Sequence, residues 1–213
     1  MIKKILLIMV FIVNLLIGIY FSYPFNEKIQ YNDIITLYSN EITSENSAHL
    51  IGAVDNNSID IVLQKIKNND IKYLLITSPG GSVDEGMKLI KIIEERRDII
   101  CIADEAMSIA FIILQACNKR FITKNTVLMH HYAYIYIDPL EKALVNNKYQ
   151  LISMEKEIND FNSFIEDYMV NRINITHKDY REKMKEDWFI SNEDIKNFNI
   201  IDGIYTKSIS NKY

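Results

Sequence analysis

The feature that most limits the fold of this chain is a glycine-rich break placed directly after a strand-like run. Tyr73-Leu74-Leu75-Ile76 leads into Thr77-Ser78-Pro79-Gly80-Gly81-Ser82-Val83-Asp84-Glu85-Gly86, so three of only six glycines fall in one short segment. Glycine tolerates φ > 0 and lets another group come close to the backbone, which suits a tight strand-to-helix turn open to a ligand. Short apolar runs at 49–54, 72–77 and 99–103 read as buried strands. Asn57-Ser58 can cap a helix carrying Ile59, Val62, Leu63 and Ile66 on one face, and Met87, Leu89, Ile90, Ile92 and Ile93 mark a second. A third helix is expected over 108–117, a strand pair over 120–123 and 126–129, and a closing strand over 200–205. Strands alternating with helices argue for an α/β fold with a parallel sheet.

Two stretches lie outside that alternation. Leu144, Leu151, Met154, Ile158, Phe161, Ile165, Tyr168 and Ile173 recur mainly at helical spacing, with no glycine or proline across 140–173. One long amphipathic helix is expected, its stripe longer than a small domain can cover and therefore suited to a partner subunit. The alternative is two helices folded onto their own core. Thr176-x-x-Asp179 and Ser191-x-x-Asp194 have the spacing of helix starts. At the other end, Lys3-Lys4 precede an apolar run to about Phe21, broken only by Asn14 and Gly18 and followed by no small-x-small cleavage site. Residues 1–23 thus read as a signal anchor or signal peptide, 24–47 as a linker with a short strand near 35–38, and 48–213 as the exported domain, with the lysines inside.

Composition excludes some functions. The net charge is −4 with both signs interspersed, so no basic field points to nucleic acid. Cys101 and Cys117 sit in apolar surroundings and read as buried free thiols, and two cysteines without a Cys-x-x-Cys carry no metal site.

The residues that remain suggest acyl transfer. Ser108 stands where a strand gives way to a helix, and Ala106 and Ala110 keep the turn tight. There its hydroxyl would lie at the C-terminal edge of a parallel sheet, beside orphan helix N–H groups able to bind an oxyanion. On its own such a serine is an ordinary helix cap; the glycine loop upstream raises its interest. His130 and His131 end the run Thr126-Val127-Leu128-Met129, and strand alternation lets only one of them meet Ser108. Asp187, immediately before Trp188-Phe189-Ile190, is the acidic residue best placed to orient an imidazole, whereas Glu186, Asp179 and Asp194 look like solvated helix charges.

In this order the motifs resemble the proteolytic subunit of the Clp protease, within the Clp/crotonase superfamily. Ser78-Pro79-Gly80-Gly81 with Gly86 is similar to that family's glycine loop, and Glu105–Phe111 to its nucleophile turn. Arg120-Phe121 with Asn125–His130 resembles its histidine strand, and Asp187–Ser191 with Ile201-Asp202-Gly203-Ile204 its aspartate segment. The resemblance implies a ββα superhelix with a long protruding helix. It implies a serine endopeptidase with Ser108, His130 and Asp187 as the triad and the N–H groups of Gly81 and Ile109 as the oxyanion hole. It also implies ring assembly, a peptide or unfolded-protein substrate, and no metal or organic cofactor. The glycine-rich segment that follows the family's histidine is replaced here by Tyr132-Ala133-Tyr134-Ile135-Tyr136-Ile137-Asp138-Pro139. An exported domain, membrane-anchored or secreted, would not meet the family's cytoplasmic ATPase. Three alternatives stay open: a signal-peptide-peptidase-type serine–lysine dyad using Lys142 or Lys148, a crotonase-type acyl-CoA enzyme, and a catalytically inactive assembly module.

Overall fold

The computed structural model of the chain describes residues 35–38, 42–134 and 148–206, with 35–38 and 148–150 described as backbone. Its strands are β1 (Ile35–Tyr38), β2 (Ser47–Ile51), β3 (Tyr73–Ser78), β4 (Ile100–Met107), β5 (Lys119–His130), β6 (Trp188–Phe189) and β7 (Gly203–Thr206). Its helices are α1 (Asn56–Ile66), α2 (Val83–Arg96), α3 (Ile109–Ala116), α4 (Lys148–Ile173), α5 (His177–Lys183) and α6 (Asn192–Asn197). The strands form one sheet in the order β1-β7-β5-β4-β3-β2, all parallel along that path, with β6 added antiparallel to the end of β5. This is the expected α/β fold with a parallel sheet.

Strand alternation builds the core. Leu74 and Ile76 of β3 are fully buried on the face covered by helices, where Ile59, Val62 and Ile66 of α1 meet Leu89 and Ile93 of α2 and Phe111 and Ile113 of α3. Tyr73, on the opposite face, joins Ile102 and Phe121 in a second, smaller cluster. Helix α3 is buried along nearly its whole length, from Ile109 to Gln115. That accounts for its continuous apolar sequence: it lies between the sheet and its neighbours, without a solvent face.

Helix starts follow side-chain chemistry. Asp55, rather than Asn57-Ser58, caps α1, in a capping box with Ser58. Thr176 and Ser191 cap α5 and α6 as their spacing predicts. The expected strand pair at 120–129 is a single strand, β5, whose register against β4 jumps from Ala103↔Ile122 to Glu105↔Val127. The extra β5 residues in that irregularity look like a turn in sequence. The closing strand begins at Gly203, later than expected. Cys101 and Cys117, expected as free thiols, form a disulfide with Cα atoms 5.8 Å apart. They lie on adjacent elements, Cys101 within β4 and Cys117 at the C-cap of α3.

Buried polar groups tie the last segment to the sheet. The Arg120 side chain, 1% exposed, donates to Asp202 Oδ2 at 3.0 Å, to Gln115 Oε1 at 2.8 Å and to the Asn199 carbonyl at 2.8 Å. Burial pushes the Asp202 carboxyl up, but hydrogen bonding and charge from Arg120 outweigh it and hold the group below the usual carboxylate range. Helix α4 packs through its C-terminal half, where Ile165, Met169 and Ile173 are buried; toward its N-terminus Leu151, Met154 and Ile158 are only half-buried, and Ile152 is exposed. The long helix therefore projects from the domain. Residues 1–23 and Lys142 lie outside the described residues, as does the side chain of Lys148. Among the described residues no helix is long and apolar enough to cross a membrane.

Candidate active site

The glycine loop and the turn at Ser108 are built against each other. Gly80 has φ +96°, and a Cβ on it would lie 2.7 Å from both the Met107 carbonyl oxygen and Ser108 Cβ. No residue with a side chain fits there. Gly81 bridges Val54, but that bridge runs through the Gly80 carbonyl (2.8 Å) and the Ser82 N–H (2.7 Å). The Gly81 N–H is not used in it, and Gly81 lines the same cavity as Ser108.

Ser108 has φ 55° and ψ −126°, a backbone conformation rare for a residue with a side chain. Such strain costs on the order of 1–3 kcal/mol and persists only where surrounding structure imposes it. Here the Ser108 N–H is held by the Met129 carbonyl at 2.9 Å, and its own carbonyl accepts from Phe111 at 3.0 Å. Although Ser108 is the N-cap residue of α3, its side chain makes no capping bond. Its hydroxyl instead meets His131 Nε2 at 2.8 Å. The Ile109 N–H, at the first position of α3, belongs to the orphan donors of a helix start.

The histidine at the serine is His131, which corrects the expectation that His130 would take that place. Alternation along the end of β5 groups His130 with buried Leu128 and His131 with the other face. His130 is 1% exposed, and its Nε2 lies 2.6 Å from the Tyr180 hydroxyl of α5. Its Nδ1 is buried and has no hydrogen-bond partner among the described residues. Desolvation, with a smaller contribution from the charge of His131, pushes its pKa down to about 3, so it is neutral across the physiological range. Desolvation also lowers His131, with Asp187 pulling the other way.

Asp187 reaches the site through strand pairing. The pairs Met129↔Phe189 and His130↔Trp188 put Asp187 opposite His131, on the same side of the sheet. Its Oδ1 lies 3.8 Å from His131 Nδ1 and its side chain is 62% exposed, an ion-pair distance rather than a hydrogen bond. Asp194, expected on the surface, is instead a buried anchor for this segment. It accepts from Trp188 Nε1 (3.1 Å), the Ser191 N–H (2.9 Å) and Lys183 Nζ (2.6 Å).

Beside Ser108 lies a cavity of about 30 Å³ walled by Ile112, His130, Tyr132, Phe161, Ile165 and Tyr180. Sequence reasoning missed the roles of Tyr180 and His131. The usable signal was the alternation from Leu128, which assigns His130 to the core once that face is known to carry the helices. Among the described residues no cluster of His, Cys, Asp and Glu could hold a metal ion. The family model described as Clp protease matches residues 25–208 of the chain.

Proposed function

The chain belongs to the Clp protease family, and on that premise we propose that it is a serine endopeptidase acting through Ser108, His131 and Asp187. The observation that carries this reading is the 2.8 Å contact between Ser108 Oγ and His131 Nε2 at a strained turn whose serine declines to cap its own helix. Neutral His131 accepts the hydroxyl proton as Ser108 attacks a peptide carbonyl, and returns it to the leaving amine. Asp187 stabilises the imidazolium and favours the tautomer with the proton on Nδ1. The N–H groups of Gly81 and Ile109 bind the oxyanion, and losing one such donor typically costs about 10² to 10³ in rate. Water then releases the acyl-enzyme by the same path in reverse.

The substrate is a peptide or unfolded protein in extended form, laid beside the glycine loop. A homo-oligomer is the expected assembly, because the half-buried stripe of α4 projects from the domain. Export is supported by two independent features: the lysine-flanked apolar segment in 1–23, and the Cys101–Cys117 disulfide, which persists in oxidising compartments. An exported enzyme would work without the cytoplasmic ATPase. The serine–lysine alternative is disfavoured because His131 already occupies the serine hydroxyl.

Fluorophosphonate labelling of the full chain, with the adduct located by mass spectrometry, tests the reading. A single adduct on Ser108, lost in Ser108→Ala and in His131→Ala, is expected. Labelling that survives in His131→Ala but needs Lys148 would replace the triad with a dyad, and no adduct at all would leave an assembly module.

A further inference from the structure

Residues 131–134 leave the sheet after β5 and belong to no regular element, yet they carry the histidine at the serine. A side chain of α4 fastens their backbone. Asn162, on α4, accepts the Ala133 N–H with Oδ1 at 2.8 Å and donates from Nδ2 to the Ala133 carbonyl at 3.0 Å. A carboxamide used this way satisfies both polar groups of one residue, as a neighbouring strand would. The complementary pair also fixes the amide orientation, since a flipped side chain would set donor against donor and acceptor against acceptor. On either side of Asn162 along the helix, Phe161 and Ile165 wall the cavity next to Ser108.

We propose that Asn162 is a positioning residue that clamps Ala133 and thereby holds His131 in register with Ser108. The inference rests on the peptidase reading above. Its carboxamide is bonded to the backbone of Ala133, two residues from His131, and it acts through that backbone. Its spacing from the glycine loop and the proposed triad gave no hint of this in sequence, where it is one of three asparagines of α4.

The test compares the full chain with Asn162→Ala and Asn162→Asp, using a fluorogenic peptide amide, fluorophosphonate labelling and amide hydrogen exchange. Expected in Asn162→Ala are at least 10-fold faster exchange at Ala133, a 10- to 100-fold fall in kcat, and a KM within about 3-fold of the parent. Asn162→Asp keeps the acceptor for the Ala133 N–H and should recover part of the protection, which also serves if the alanine variant folds poorly. Unchanged exchange at Ala133, or lost protection with kcat within 2-fold, overturns the clamp while leaving the peptidase reading intact. A parent protein that neither cleaves nor labels overturns both.

Discussion

Helices α3 and α6 both begin at a serine, and the two serines do opposite things. Ser191 has an extended backbone at φ −86°, accepts the Asp194 N–H, and shares a capping box with that residue. Ser108 has φ 55° and caps nothing. One hydroxyl is consumed in stabilising its helix; the other is withheld from the helix and offered to an imidazole. At a helix start, local backbone conformation therefore separates a serine that caps its helix from one whose hydroxyl is left for the proposed chemistry.

The sharpest way to break that contrast is to remove each hydroxyl. Ser108→Ala should cut kcat by about 10⁴- to 10⁶-fold, with the thermal midpoint unchanged or raised, because no cap is lost. A variant that lost stability but kept activity would invert the assignment. The next effect separates the paired histidines. His131→Ala should cost on the order of 10⁴ in kcat, whereas His130→Met should act on stability. Sign and window follow from burial: folded His130 stays neutral down to about 3 while the unfolded side chain charges near 6.5. The unfolded state binds more protons between those values, so stability falls as pH drops from about 6.5 toward 3. Denaturant midpoints measured across that window should show the fall in the parent and a flatter response in His130→Met.

Smaller still is Asp187. At 3.8 Å from His131 and largely exposed, it should matter less than a buried triad aspartate; Asp187→Asn is expected to lose about 10- to 100-fold rather than ~10⁴. Its charge raises the pKa of His131 against the larger lowering by desolvation. Removing it should move the acidic limb of the rate profile to lower pH, since the neutral base would persist further down. An acidic limb that stayed in place would separate Asp187 from His131. The least effect belongs to Ser191→Ala, with about 1 kcal/mol of stability lost and peptide hydrolysis retained.

Much of this was legible in sequence, for local reasons. The glycine loop, the strand-to-helix turn at Ser108, and the caps at Thr176 and Ser191 are set by residues within a few positions of one another. Asp187 was legible too, because the apolar residues after it form β6 and lay it opposite the end of β5. The choice between His130 and His131 was not local. It depends on which face of β5 the helices cover, and the register jump within β5 blurs counting along the strand. The Cys101–Cys117 bond and the Asn162–Ala133 clamp join residues from separate elements, and apolar flanks or helical spacing carry no trace of a partner's identity.

The disulfide has a consequence for how damage to this protein would look. Cys101 and Cys117 bracket the stretch 102–116, which contains most of β4, Ser108 and all of α3. The proposed nucleophile, Ser108, therefore sits inside a covalent ring. A protease that nicks the chain anywhere within that ring, including another copy of the enzyme, leaves two fragments that still migrate as one species until a reductant is added. Loss of activity by such a cut would be invisible on a non-reducing gel, and would appear on a reducing one as two pieces meeting between residues 101 and 117.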